Sequence, residues 1–261
     1  MKDKILLFLK GLLMGAADVI PGISGGTIAL ITGIYPKLIK SLSDIDLRKF
    51  FRTTNFGFLI PLGLGIILSI YSLSGLIESL LVNHADRTYS FFIGLILAST
   101  ILLYQKARSL TFNSFIAMIL GFLIAYMIAG LAVLNASHSV PVIFISGILA
   151  ISAMILPGIS GAFILLLLNQ YEYLISALHS LDLKILSAFA IGALVGLLGF
   201  SKLLNSILKK YYSLSISLLI GLMLGSLRVP LQKISTASLG SIIIWIIVGF
   251  VLVIVIEKSL D

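Results

Sequence analysis

Two serines sit in one repeated phrase, Pro21-Gly22-Ile23-Ser24-Gly25 and Pro157-Gly158-Ile159-Ser160-Gly161. A Ser-Gly pair is a good start for a helix, because the hydroxyl caps the first turn and Gly lets a ligand approach the backbone. A helix start carries unpaired N–H groups and a partial positive charge. It therefore binds anions, phosphate above all. The candidate donors are Gly22, Ser24, Gly25, Gly26 and Thr27 in the first copy, and Gly158, Ser160 and Gly161 in the second. A plainer role for the same glycines is close helix packing. The symmetric duplication favours binding.

Asp18 lies just before the first phrase, within an apolar run. An intramembrane carboxylate is costly and marks function by default. It could carry a coupling proton or Na⁺, or hold the broken backbone by accepting N–H bonds. The second copy has Met154 at that position, so any coupling is asymmetric. Arg228, among small residues and a Pro, and Arg87 could each capture a phosphate; both also suit interfacial anchoring, and Arg228 is the stronger candidate. Lys10 is expected to snorkel to the headgroups. Gly-x-Ser-Gly also surrounds the nucleophile of rhomboid-type intramembrane proteases. That chemistry needs a base beside the Ser, whereas His84, His138 and His179 fall in loops or at segment ends. The chain has no Cys, so no thiol chemistry or Cys-based zinc site is expected. No cofactor and no metal are expected, apart from a possible coupling proton or Na⁺.

These residues must be positioned by membrane helices. Of 261 residues, 59% are hydrophobic and 11% charged, and mean hydropathy is +1.19. A soluble surface cannot be built from so few charges. Soluble, disordered, coiled-coil and nucleic-acid-binding classes are excluded. Residues 56–82, 88–106, 113–135, 185–208 and 238–256 are long enough to cross, and 213–229 is a shorter sixth span. The pairs 5–20/24–42 and 140–156/160–179 are each split by the Pro-Gly phrase. They read as hairpins that enter the membrane and return to the same side. Such breaks need protein or a watery cavity to satisfy the backbone. The first apolar run continues into the repeated motif, so it is expected to be retained rather than cleaved as a signal peptide.

On this topology one side holds 13 Lys and Arg, the other only Arg87, Lys184, Arg228 and Lys233. The basic side, with both termini, is expected to be cytoplasmic. Residues 21–48 and 157–184 match at 13 of 28 positions, including Tyr35/Tyr171 and Asp46/Asp182. Each half is one hairpin plus three crossings, so the second half is expected to be inverted. The fold class is therefore an all-α polytopic membrane protein. It is one transmembrane transporter domain over 1–261, with repeats at about 5–135 and 138–257. Inverted repeats with broken helices at their interface are a transporter architecture.

The run Met14-Gly15-Ala16-Ala17-Asp18-Val19-Ile20-Pro21-Gly22-Ile23-Ser24-Gly25-Gly26-Thr27-Ile28-Ala29, followed by Gly33-Ile34-Tyr35, closely resembles the signature of the polyprenyl-phosphate (undecaprenyl-phosphate) translocases. The second Pro-Gly-Ile-Ser-Gly and Gly94-Leu95-Ile96-Leu97-Ala98-Ser99 are similar to that family too. The resemblance implies a plasma-membrane lipid transporter, not an enzyme. It would return polyprenyl phosphate from the outer to the inner leaflet for cell-envelope glycan synthesis. The implied partners are that lipid and the bilayer, with no nucleic acid. Alternating access, with the phosphate head held at the two hairpin tips, fits both lines of reading. A transporter or channel for a small soluble anion, and an intramembrane serine hydrolase, are the alternatives.

Overall fold

The computed structural model describes residues 2–19, 24–107, 111–134, 136–234 and 239–260. Among these, every regular element is helical. In the first half, α1 (Lys2–Asp18) is followed by the short α2 (Gly25–Ile31) and α3 (Tyr35–Ser43). A turn at Leu47–Lys49 and α4 (Phe50–Thr53) lead into α5 (Phe56–Asn83), α6 (Ala85–Lys106) and α7 (Phe112–Ile128). The second half runs through α8 (Val140–Ile155), α9 (Gly161–Leu167), α10 (Tyr171–His179) and α11 (Leu183–Lys210). It ends with α12 (Tyr212–Ser226), α13 (Arg228–Lys233) and α14 (Leu239–Leu260).

Helix starts follow from side chains that accept backbone N–H groups. Ser24 caps α2 and Ser160 caps α9. The Asp46 side chain accepts from Arg48 N, and that of Asp182 from Lys184 N and Ile185 N. Those two aspartates occupy matched positions in the sequence repeat. Asp182 is exposed, and its carboxylate starts α11.

Among the described residues, five helical stretches are long and apolar enough to cross a membrane, or six if the bent pair α9–α10 forms one span. The α14 span has mean hydropathy 3.1, yet only 11% of it is buried. Ile243, Ile247, Val251 and Val255 all face outward. Such an apolar exterior belongs against lipid tails. The chain is a multi-pass membrane protein.

The return limbs differ from the expected 24–42 and 160–179. Each is cut in two. The first breaks at Thr32–Ile34 and the second at Leu168–Gln170, where α9 and α10 meet at 103°. The cause is a left-handed residue at matched positions, Gly33 (φ 70°) and Asn169 (φ 57°). Gly and Asn are the residues that tolerate this conformation. The carbonyls freed at each break find different partners. Lys10 Nζ donates to Thr32 O at 2.7 Å, instead of snorkelling to headgroups. Fully buried Gln170 donates from Nε2 to Leu168 O at 3.0 Å and Ser137 O at 3.2 Å. Its Oε1 lies 2.9 Å from His138 Nδ1. The expected span 113–135 also ends early, at Ile128. Gly130 follows the helix, and beyond it Leu134 N bonds Leu167 O at 2.7 Å.

Four helix pairs pack most closely: α1 with α5, α8 with α11, α6 with α14, and α12 with α7. Each crossing puts glycines of both helices against the partner's carbonyls. Gly11 meets Leu62 O and Gly65 meets Phe8 O; Gly147 meets Phe189 O and Gly192 meets Phe144 O. Likewise Gly94 meets Ile246 O and Gly249 meets Phe91 O, while Gly221 meets Met118 O and Gly121 meets Leu218 O. Small residues at crossings let membrane helices approach to backbone contact. The packing role of glycine is therefore real along the long helices. Between the pairs, Asn205 Nδ2 donates to Ser43 Oγ at 2.7 Å and ties α11 to α3.

Candidate binding site at the two helix breaks

The first phrase is described from Ser24 onward; Gly22 and Pro21 lie outside the described residues. Ser24 is extended and fully buried. Its Oγ accepts from Gly26 N at 3.0 Å. The same hydroxyl lies 3.1 Å from both Met154 O and Leu156 O, as their donor. Those carbonyls end α8, where the second break deprives them of helical partners. Thr27 answers in the other direction, its Oγ1 accepting from Gly158 N at 3.1 Å. Gly158 has φ 86°, and a Cβ there would press on Leu222 O of α12. The two helix breaks are thus joined directly across 130 or more residues of sequence.

The donors are spent unequally. At the first break, Gly25 N donates to Asp18 Oδ1 at 2.6 Å, Gly26 N to Ser24 Oγ, and Thr27 N to Ser24 O at 2.9 Å. The start of α2 is satisfied from within, and Asp18 supplies its anion. A side chain on Gly25 would collide with that carboxylate. At the second break, Phe163 N reaches Ser160 Oγ at 3.4 Å and Ile164 N reaches Ser160 O at 3.1 Å. Among the described residues, the amides of Gly161 and Ala162 have no hydrogen-bond partner.

A cavity of about 210 Å³ opens beside the first break. Asp18 and Gly26 form its polar wall; Met14, Leu38, Leu62, Met154 and Leu197 are among its apolar ones. Among the described residues, Asp18 is its only ionisable lining residue. An apolar groove of about 300 Å³ flanks the second break along Leu156, Ile159 and Ile164.

Arg228 stands apart from these contacts. It donates to Tyr126 O at 2.9 Å and stacks over the Tyr126 ring at 4.4 Å. A Cβ on Gly130 would overlap its guanidinium. Tyr35 and Tyr171, matched in sequence, diverge in setting: Tyr35 is fully buried and Tyr171 is 39% exposed. Among the described residues, neither Ser24 nor Ser160 is hydrogen-bonded to a histidine, as a hydrolase would need. Thr27, expected as a donor, instead accepts from Gly158 N of the opposite phrase. One contributor was not foreseen: Gln170 latches the second break. The polar pair Asn169-Gln170 inside an apolar run was the available signal for it.

Comparison with known proteins gives a consistent result. The family described as undecaprenyl phosphate translocase-like matches residues 14–242. A protein of Vibrio cholerae named polyprenyl-phosphate transporter is 44% identical, over 84% of this chain and 75% of its own. One of Staphylococcus aureus with the same name is 34% identical, over 95% of this chain and 94% of its own. No solved structure matches.

Proposed function

The chain belongs to the undecaprenyl phosphate translocase-like family, and from that premise we propose that it is a transporter, not an enzyme, that moves polyprenyl phosphate from the outer to the inner leaflet of the cytoplasmic membrane. The carried lipid would serve cell-envelope glycan synthesis. The reading rests on one observation above others. At the second break the unpartnered amides of Gly161 and Ala162 lie beside an apolar groove along Leu156, Ile159 and Ile164, which suits a molecule with one anionic head and a long hydrocarbon tail.

In this reading the two halves are inverted repeats, and the Ser-Gly phrases are the tips of hairpins entering from opposite faces. Both termini are cytoplasmic, in line with the charge bias. The head is held by Ser160, Gly161 and Gly158 at the second tip. Gly25, Gly26, Ser24 and Thr27 join from the first, with Gly22 beside them, once Asp18 releases Gly25 N. Arg228 supports the outer end of the path. The hairpins then rock to expose the site to one leaflet and then the other. Carrier uptake into proteoliposomes tests this. A labelled polyprenyl phosphate should cross with protein present, and a polyprenyl alcohol should show no protein-dependent gain. Equal stimulation by the protein for both lipids would sink the reading. Movement of free phosphate without the lipid would favour the small-anion alternative.

Asp18 is where a proton or Na⁺ would couple, because neutralising it frees Gly25 N for the headgroup. Asp18→Asn keeps the size of the side chain but only a weaker, uncharged acceptor for Gly25 N, so the fold should persist while that amide is released more readily. Uptake by this variant is expected to continue at about half the wild-type rate or better while losing its response to an imposed proton or Na⁺ gradient. Uptake that keeps the full gradient response would remove Asp18 from the coupling step.

A further inference from the structure

A second polar end exists where the proposed mechanism makes no use of it. Two cavities, of about 420 and 230 Å³, adjoin in line as a trough, with Ile77, Phe91 and Phe92 lining both. It runs between α5, α6 and α14. Along α14 it extends from Trp245 to Ile256, roughly 16 Å at the rise of an α-helix. Its floor is apolar throughout its length. At the α5–α6 turn, however, it ends at Arg87 and His84.

Arg87 is exposed, and among the described residues its guanidinium has no hydrogen bond or ion pair. Asp86 beside it is engaged in a contact of its own. Arg228, by contrast, is committed to Tyr126. A guanidinium matches a phosphate with parallel donors and stays charged at any working pH. A cation at one end of an apolar trough is the complement of an anionic head on a hydrocarbon chain.

We propose that this trough is a second binding site for the polyprenyl phosphate, with the head at Arg87 and His84 and the first isoprene units along Phe91, Phe92 and Leu95. This site would receive the lipid before the tips do, and it rests on the function proposed above.

Trp245 lines the polar end and is the single tryptophan of the chain, so its fluorescence reports on the site without a label. Purified full-length protein in nanodiscs is titrated with a long-chain polyprenyl phosphate. A saturable change in Trp245 emission is expected. Arg87→Ala should raise the half-saturating concentration about tenfold, as loss of a charged hydrogen-bond pair does, and Arg87→Lys should recover most of it. The matching polyprenyl alcohol and inorganic phosphate should each give little response. An Arg87→Ala curve that overlies the wild type overturns the proposal. So does an equal response to phosphatidylglycerol, which would make Arg87 an interfacial anchor. Uptake failing in the wild type while the Trp245 response persists would remove the transport reading and leave this site standing.

Discussion

A chain carrying both Ser24→Ala and Ser160→Ala is expected to take up polyprenyl phosphate at no more than about a tenth of the wild-type rate. The reason is the number of groups each hydroxyl serves. Ser24 Oγ accepts from Gly26 N and approaches Met154 O and Leu156 O. Its loss strands these groups in a water-poor interior, at about 1–3 kcal/mol for each group left unpaired. It also removes the cap of α2 and one link between the two breaks. Ser160 caps α9 and stands beside the unpartnered amides of Gly161 and Ala162. Its loss removes a donor at the place proposed for the headgroup, at a structural cost of about 1 kcal/mol. The single variants therefore separate. Ser160→Ala should lose uptake with little change in thermal stability, and Ser24→Ala should lose both. Thr at either position restores the hydroxyl and should recover part of the rate. Normal transport by the double variant would end the tip-site reading.

Gly192→Val is expected to prevent α8 and α11 from seating. A Cβ at Gly192 overlaps the Phe144 carbonyl, and Gly147 presses on Phe189 O from the other side. Backbone on both helices forms this contact, so no side chain can swing away to make room. Overpacking of this kind costs about 3 kcal/mol or more, which for a chain of this size lowers the melting temperature by about 10 °C. Size-exclusion chromatography in detergent and a thermal-shift measurement read the outcome. Gly199 lies on the same helix with nothing within 4 Å of an added Cβ. Gly199→Val is the control and should stay near the wild type. Equal loss for both variants would locate the effect in helix propensity instead of the crossing.

Much of the architecture was legible because lipid demands long apolar helices. The spans at 56–82, 88–106, 185–208 and 238–256 correspond to α5, α6, α11 and α14. The contact between the two helix breaks was foreshadowed by the duplicated Ser-Gly phrase. What sequence patterning hid was local backbone geometry. Gly33 and Asn169 each set a left-handed turn inside an apolar run, and an apolar pattern is the same on either side of such a turn. Partner choice was hidden as well. Lys10 could be read as a headgroup anchor until Thr32 O, freed by the break, came within its reach. Arg228 reads as the stronger phosphate candidate, and its hydrogen bond to Tyr126 O near the end of α7 is equally invisible in residue types. Unsatisfied carbonyls are created by the fold and cannot be seen in residue types.

The mismatch between Asp18 and Met154 has an electrical meaning. A phosphate monoester carries about −1.5 to −2 charges near neutral pH. Carrying it inward against an inside-negative potential costs about 2.3 kcal/mol per charge for each 100 mV. A cycle using one carboxylate can bring one compensating proton or Na⁺, whereas a symmetric pair could bring two. With Met154 in the second copy, the proposed cycle leaves a net negative charge to be moved whenever the head is doubly ionised. Uptake should then slow as an inside-negative voltage is imposed, and recover when the membrane is short-circuited.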